Sequence, residues 1–336
     1  MSFVSSHGLK QAERPLFVSI LANTQLSTIP GISGAGPTPE KTLLTPILDA
    51  ELIARGEITS MPVRPDTPTG CPTPATITRA VMELIGITPF FINAGLVRSP
   101  VVPCFDVYGS PGDDPRVRNA VPDAAGLYEK GKMLGNFLSA YTDLIVLGEC
   151  VPGGTTTALC VLRALGYPAR VSSSFVSNPV GIKEEVWRMV QARAGPFQEM
   201  EPLDVLKVTG DPMMPVAAGL ASGYSGKLVL AGGTQMLAVA GVLKAMGRHP
   251  PDIATTCYVR DDPSADVEET ARAIGVRMYV VDPGFGSLGH SGLARYCSGE
   301  VKEGMGAGGA MFLASLQGYS HDEIRQHIFE AVSRYQ

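Results

Sequence analysis

The feature that most constrains the fold is an alternation of short apolar runs with helical segments in the second half of the chain. Continuous apolar runs are typical of strands buried on both faces, and their alternation with helices favours a parallel sheet. The sequence therefore predicts an α/β, Rossmann-like three-layer fold with a mainly parallel sheet. The runs are DLIVLG from residue 143, PARVSSS from 168, KLVLAGG from 227, IATTCYV from 253 and VRMYVVD from 276. The helical segments lie at about 155–165, 182–193, 212–222, 234–247 and 265–274.

The first half is less regular and indicates a smaller helical and irregular region beside the sheet. PLFVSILA at 15–22 and PFFIN at 89–93 predict strands, and two helices are predicted to end at Gly56 and Gly86. Long loops rich in glycine and proline join these elements. Because long ordered loops in a compact domain are often functional, we expect them to cover a pocket or a partner subunit.

The pattern divides the chain into three parts. Residues 1–125 form a loop-rich part with helices and one or two strands, which we expect to contribute to a base pocket or a dimer. Residues 126–318 form a nucleotide-binding core built on the parallel sheet. Residues 319–336 form a C-terminal helix, which begins with a capping box from Ser320 to Glu323.

Composition and charge argue against several classes of protein. The 336 residues carry a net charge of −5 without a block of like charges, which argues against a nucleic-acid binder. The longest uncharged apolar stretch, at 228–243, is too short and too interrupted to span a bilayer. The N-terminus lacks the pattern of a signal peptide, so we expect a cytoplasmic protein. The six cysteines form no CxxC pair and no histidine cluster has metal-ligand spacing, which predicts free thiols and no metal site.

The segment GECVPGGTTTALCVL at 148–162 joins a predicted strand to a predicted helix through two glycines. Gly153 and Gly154 permit a close backbone approach, and Thr155 and Thr156 offer hydroxyl groups as well as helix caps. The free N–H groups of a first helical turn favour an anion, most naturally a phosphate. The segment matches neither Walker A nor GxGxxG, and a tight turn without a ligand explains it equally well.

Three further junctions repeat this glycine-rich pattern. The carboxyl ends of parallel strands lie on one edge of a sheet, where α/β proteins bind their ligands. We therefore expect a small-molecule site there, in preference to glycines that serve packing alone. The residues concerned are Gly232 and Gly233, then Ser287, Gly289 and His290, and finally Glu303 and Gly304 before a C-terminal helix.

Two carboxylates, Glu149 and Glu303, lie within these turns. Enclosure in a pocket raises the pKa of a carboxyl group, which can then take a proton from a nitrogen heterocycle. Each glutamate is equally well explained as an electrostatic cap at the start of a helix. His290 is another candidate base, although a lone histidine is more often a hydrogen-bonded structural residue.

These motifs resemble a known family, the nicotinate-nucleotide–dimethylbenzimidazole phosphoribosyltransferases, and most of all its archaeal and cyanobacterial branch, which depends on nicotinate mononucleotide. GECVPGGTTTA at 148–158 is similar to the family's GE-x-x-x-G-x-TTTA, and KEGMGA at 302–307 resembles its terminal GEGTGA. The resemblance covers most of the chain. Further similar segments are TGDPMMPVAAGLA with KLVLAGGTQMLA, the Ser287–His290 turn, and the N-terminal NTQLSTIPGISGAG and PTGCPTPATITRA.

The resemblance implies roles for individual residues. Glu303 matches the general base that acts on the incoming heterocycle, and Glu149 matches an acidic residue beside the ribose and the base. The chain departs from the family pattern at Lys302, where glycine is usual, and at Pro152, which interrupts the first loop. The loop near the nucleotide is matched by Gly153, Gly154, Thr155 and Thr156, and the surroundings of the phosphate by Ser287 and Gly289.

The resemblance also implies an enzyme, a pentosyltransferase of cobalamin biosynthesis. It would move the phosphoribosyl group of nicotinate mononucleotide to a benzimidazole or purine base, which becomes the lower ligand of a cobamide. Its partners are then a small-molecule nucleotide and a heterocyclic base, with no cofactor, no nucleic acid and no membrane, and the family implies a homodimer. The residues leave two other functions open, a non-catalytic nucleotide-binding or regulatory protein and a nucleotide N-glycosidase that uses water as acceptor. They do not determine the acceptor base.

Overall fold

Seven parallel strands form a single sheet in this computed structural model, which describes residues 3–5, 8–36 and 38–335. The strands are β1 (Pro15–Ala22), β2 (Phe90–Gly95), β3 (Phe105–Asp106), β4 (Leu144–Cys150), β5 (Lys227–Ala231), β6 (Asp252–Thr256) and β7 (Met278–Val281). Their order is β3-β2-β1-β4-β5-β6-β7, and each strand runs parallel to its neighbours. The predicted α/β class with a mainly parallel sheet is therefore confirmed.

Helices cover both faces of the sheet because successive side chains of each buried strand point to opposite sides. Along β4, Ile145 and Leu147 enter one apolar core, whereas Leu144 and Val146 enter the other. In the part of the chain that the structure describes, no helix is long and apolar enough to cross a bilayer. The helices are α1 (Pro39–Thr42), α2 (Thr45–Arg55), α3 (Pro74–Ile85), α4 (Ala124–Leu138), α5 (Gly154–Ala164), α6 (Val180–Ala194), α7 (Pro202–Thr209), α8 (Met213–Gly223), α9 (Thr234–Ala245), α10 (Cys257–Arg260), α11 (Val267–Ile274), α12 (Ser291–Ala294), α13 (Ala307–Leu316) and α14 (His321–Ser333).

The predicted helix ends are confirmed where the sequence gives a chemical signal. Gly56 and Gly86 end α2 and α3 in the left-handed conformation, with φ of 82° and 68°. At the start of α14, Ser320 and Glu323 form the reciprocal hydrogen bonds of a capping box. Local backbone chemistry fixes these ends without help from distant residues.

The first half of the chain contributes three strands to this sheet. β1 lies inside the sheet, between β2 and β4, so strands from residues 1–125 and from residues 126–318 share one hydrogen-bonded ladder. The sequence did not predict β3, which has only two residues and therefore shows no apolar periodicity. Because β1 pairs with β4, the loops of the first half lie close to the carboxyl end of β4.

The strand predicted from residue 168 is wrong. Residues 168–174 form no strand, because side chains rather than a neighbouring strand bind their backbone groups. Ser172 donates its N–H to Thr234 Oγ1 at 3.2 Å, and Lys183 Nζ donates to the Ser172 carbonyl at 3.2 Å. Lys302 Nζ donates to the Ser173 carbonyl at 2.6 Å. The segment is a wall of the cavity described next.

Candidate active site

A cavity of about 1010 Å³ lies beyond the carboxyl ends of β4 and β5. Its floor comes from the end of β4 and from the turns that begin α5 and α9. Loops of the first half, at 32–36 and 61–70, form the opposite wall. This is the edge at which open α/β sheets bind ligands, as the sequence predicted.

Glu149 lies on the floor of the cavity, one residue before the end of β4. Its side chain is buried, and its Oε2 accepts hydrogen bonds from Val151 N at 3.0 Å and from Gln235 Nε2 at 2.7 Å. Burial raises the pKa of Glu149 to about 8, and the nearby charges of Asp211 and Glu303 act in the same direction. Glu149 therefore carries a proton for much of the time near neutral pH.

Glu303 lines the same cavity from the turn that precedes α13. Its Oε1 accepts from Gly304 N at 3.1 Å and from Gly308 N at 3.2 Å. Desolvation of the carboxyl group raises the pKa of Glu303 to about 7, although hydrogen bonds from backbone N–H groups oppose the rise. A Cβ at Gly308 would lie 2.7 Å from Glu303 Oε2, so only glycine at that position leaves room for the carboxylate.

The glycine turns at the starts of α5 and α9 meet in this cavity. Gly153, which adopts a left-handed φ of 80°, lines it together with Gly154 and Thr155, and so do Gly233 and Gly304.

The remaining residues of these two turns lie just behind the lining. A Cβ on Gly232 would lie 3.7 Å from Glu149 Oε1. Thr156 is buried beneath the first turn of α5, and its Oγ1 has no hydrogen-bond partner among the described residues.

The predicted third turn, Ser287 to His290, does not line the cavity. Ser287 donates to the Gly284 carbonyl, and His290 Nδ1 accepts from Leu293 N at 3.1 Å. Gly289 lies between them with a left-handed φ of 72°. These residues follow β7, which is the edge strand of the sheet and lies three places from β4.

The segment after β7 instead supports the cavity wall from behind. A Cβ at Gly292 would lie 2.3 Å from the carbonyl oxygen of Gly70, which lines the cavity. Tyr296 donates its hydroxyl to the Pro72 carbonyl at 2.9 Å. These contacts hold the loop at 61–70 in place.

The sequence reasoning missed Asp49, a third carboxyl group that is buried in the cavity. It lies on α2, and burial raises its pKa to about 7 against hydrogen bonds from Thr73 and Cys150. The sequence did contain a feature that could have revealed Asp49, namely its helical spacing from the apolar residues Pro46, Ala50 and Ile53, which are buried in the structure. An acidic residue at this helical spacing lies on the apolar face of the helix, which is unusual enough to mark a site.

Lys302, the neighbour of Glu303 in the chain, is buried at the cavity wall, and its ammonium group makes three hydrogen bonds. Its Nζ donates to Asp262 Oδ2 at 2.9 Å and to the carbonyls of Ser173 and Phe175 at 2.6 and 3.2 Å. Although burial opposes it, hydrogen bonds, including one from Lys302, lower the pKa of Asp262 to about 2. Lys302 thus fixes the wall at 172–175 and does not neutralise the carboxyl groups of the cavity.

Comparison with known proteins places the chain in a family. The chain matches no family model. It is 44% identical over 338 residues to a UPF0284 protein of Methanosarcina acetivorans, in a match that covers 98% of this chain and 97% of the relative. This chain belongs to the UPF0284 family. The UPF0284 protein of Thermococcus gammatolerans is 43% identical over 95% of this chain and 98% of that relative.

The UPF0284 chain also resembles solved structures. It superposes on nicotinate-nucleotide–dimethylbenzimidazole phosphoribosyltransferase from Thermus thermophilus with a TM-score of 0.64 at 17% identity, over 95% of this chain and 84% of that one. CobT from the same organism gives a TM-score of 0.64 at 16% identity, over 94% of this chain and 84% of that one. At this identity the likeness establishes a shared fold, which agrees with the fold that the motifs of the UPF0284 chain predicted.

Proposed function

We propose that this protein transfers the phosphoribosyl group of nicotinate mononucleotide to a heterocyclic nitrogen base. The observation that carries the proposal is the pairing of two carboxyl groups of raised pKa, Glu149 and Glu303, in one cavity that also receives the first turn of α5. One part of this arrangement suits a phosphate and the other suits a nitrogen heterocycle. The name of the solved protein with the same fold supports this substrate class.

The first turn of α5 is the proposed phosphate site. α5 has 11 residues, and its positive end, at Gly154 and Thr155, lies on the cavity wall, where the field of the helix favours a phosphate. Lys41 and Arg64 line the same cavity and add positive charge. Ser287 and Gly289, which the family resemblance assigned to the phosphate, lie outside the cavity lining.

Glu303 is the proposed general base. The bond between C1′ and the nicotinate nitrogen breaks, and its electron pair neutralises the pyridinium ring. A ring nitrogen of the incoming base forms the new bond to C1′, and its proton passes to the Glu303 carboxylate. Because the pKa of Glu303 is about 7, the group is available as a base near neutral pH and holds the proton afterwards.

Glu149 is proposed to stabilise the sugar during the transfer. The C1′ centre gains positive character as the nicotinate departs, and carboxyl groups nearby favour this charge. The ionised form of Glu149 stabilises this charge, whereas the protonated form donates a hydrogen bond to a sugar hydroxyl group through the oxygen that Val151 and Gln235 leave unused. Alignment of the two reactants contributes several kcal/mol, and a base contributes roughly 100- to 10,000-fold.

The test is incubation with nicotinate mononucleotide and a panel of benzimidazoles and purines, followed by chromatography. Release of nicotinate together with a new riboside phosphate, only when a base is present, is the expected result. Nicotinate release with water alone indicates a nucleotide N-glycosidase. Binding of the nucleotide by calorimetry without any release indicates the non-catalytic nucleotide-binding protein.

A further inference from the structure

We propose that Asp49 selects the acceptor base, and that it favours bases with a hydrogen-bond donor on the ring edge away from the reacting nitrogen. An aminopurine has such an edge, whereas a dimethylbenzimidazole presents methyl groups there. The inference rests on the proposed function and specifies the acceptor. It also assigns a role to a residue that no sequence motif suggested.

The hydrogen bonds that Asp49 receives from its neighbours leave part of the hydrogen-bonding capacity of this buried carboxyl group unused. Its side chain is only 8% exposed and lines the cavity from α2. Thr73 Oγ1 donates to Oδ1 at 3.3 Å, and Cys150 Sγ lies 3.8 Å from Oδ2. A long hydroxyl contact and a weak thiol donor provide little compensation, so further hydrogen-bonding capacity faces the cavity.

The position of Asp49 suits the far edge of a base whose reacting nitrogen lies at Glu303. Thr73, the hydroxyl partner of Asp49, is followed by Pro74, and a Cβ on Gly304 would lie 3.2 Å from Pro74 Cγ. One short chain of contacts therefore links Asp49 to the turn that carries Glu303. The apolar residues Leu48, Ile58, Met61 and Val63 also line the cavity and provide a surface for a flat ring.

The chemistry of a carboxyl group explains the preference. In its ionised form Asp49 accepts a hydrogen bond from an exocyclic amino group. In its protonated form it donates to a ring nitrogen and accepts from the adjacent amino group, so a two-point contact forms. A base without a donor makes at most one of these two contacts, and a site built for a hydrogen bond rejects such a ligand strongly.

The experiment measures binding of three bases to the wild-type protein by calorimetry in the absence of nicotinate mononucleotide, so that no transfer takes place during the titration. Adenine, purine without the amino group, and 5,6-dimethylbenzimidazole are the probes. We expect adenine to bind at least about tenfold more tightly than either of the others. Equal affinities for adenine and purine would overturn the proposal, and this comparison does not depend on the folding of any variant.

Two variants then assign the preference to Asp49. Asp49→Leu removes the hydrogen bonds and is expected to lower the ratio of adenine to dimethylbenzimidazole affinity at least about tenfold. Asp49→Asn keeps a donor and an acceptor, and is expected to change the ratio by less than about threefold. A separate titration checks that Asp49→Leu still binds nicotinate mononucleotide and is therefore folded. An unchanged ratio of base affinities in such a variant would also overturn the proposal.

Turnover with the same bases separates this inference from the proposed function. If no base supports nicotinate release by the wild-type protein, the transferase function fails, while the affinity ratios still decide the role of Asp49. If transfer occurs and the ratio of kcat/KM for adenine and dimethylbenzimidazole does not respond to Asp49→Leu, the transferase stands and the selecting role of Asp49 fails.

Discussion

Glu303 is the single residue on which the proposed chemistry depends most. Its carboxyl group accepts hydrogen bonds from two backbone N–H groups, which fix its position at the cavity wall. Desolvation raises its pKa to about 7, close to the value at which a general base is most effective. An amide has the same shape but cannot take the proton.

Glu303→Gln is therefore expected to lower turnover by roughly 100- to 10,000-fold. Its affinity for nicotinate mononucleotide is expected to stay within a few-fold, since the base acts on the other reactant. Chromatography of released nicotinate and calorimetry of nucleotide binding measure the two effects. Glu330, which is exposed on α14, provides the matched control, and Glu330→Gln should retain full turnover. Equal turnover in Glu303→Gln and the wild type would remove Glu303 from the mechanism.

Glu149 makes stability depend on pH in a direction that can be worked out. Burial raises its pKa from 4.5 in an unperturbed chain to about 8 in the folded protein. Between these values the folded state holds a proton that the unfolded chain releases, so this group's contribution to the free energy of unfolding falls as pH rises. The contribution is complete below pH 4.5 and is lost as pH passes about 8.

Glu149→Gln is expected to abolish this group's pH-dependent fall in the free energy of unfolding, because glutamine does not titrate. We expect the stability of the variant relative to the wild type to increase by on the order of 3 kcal/mol between pH 4.5 and pH 8. Denaturant unfolding of both proteins across this range measures it. A stability difference that does not vary with pH would mean that Glu149 is ionised in the folded protein.

At the scale of the element, the start of α5 combines a tight turn with part of the cavity lining. A Cβ on Gly154 would lie 2.3 Å from Gln235 Nε2, whose hydrogen bond holds Glu149. A methyl group there displaces the end of the Gln235 side chain and occupies space on the cavity wall. The glycine is therefore required by the site more than by the conformation of the helix.

Gly154→Ala is expected to weaken binding of nicotinate mononucleotide by about tenfold, while the free energy of unfolding falls by no more than about 1–3 kcal/mol. Gly181 is the second residue of α6, and a Cβ there would meet no atom within 4 Å. Gly181→Ala is thus the matched control and is expected to bind the nucleotide normally. Calorimetry and denaturant unfolding distinguish the two variants, and normal binding by Gly154→Ala would place the phosphate elsewhere.

The sequence predicted an element well where local residues determine its limits, and poorly where distant side chains bind its backbone N–H and carbonyl groups. The limits of β1 and the helix ends at Gly56 and Gly86 follow from apolar length and from glycine conformation, both of which are local. The segment from 168 has the composition of a strand, yet Thr234, Lys183 and Lys302 take its backbone groups. These partners are distant in sequence, so no local pattern could reveal them.

At the scale of the whole molecule, the order of the strands decides which loops share a cavity. β4 and β5 are neighbours, so their turns meet, whereas β7 at the edge carries Ser287 and His290 away. The pairing of β1 with β4 brings the loops of the first half to the same site. A ligand in this cavity contacts both halves of the chain and should stabilise all of it.

Nicotinate mononucleotide at 100 times its Kd is therefore expected to add about 2.7 kcal/mol to the free energy of unfolding, which corresponds to a Tm increase of about 4 °C for a chain of 336 residues. Nicotinate riboside at the same concentration lacks the phosphate and should give a smaller increase. Thermal unfolding measures both. Identical increases for the two ligands would contradict a phosphate site at the start of α5.

The sequence by itself determined the α/β class, the parallel sheet and the helix ends, because apolar periodicity and glycine conformation act over a few residues. It also predicted that Glu149, Glu303 and the turns at Gly153 and Gly233 lie at one edge of the sheet. Only the tertiary structure excluded the Ser287–His290 turn from the cavity and brought Asp49 into it. The reason is physical: strand order and the approach of α2 to β4 are set by long-range packing, which leaves no periodic signal in the sequence.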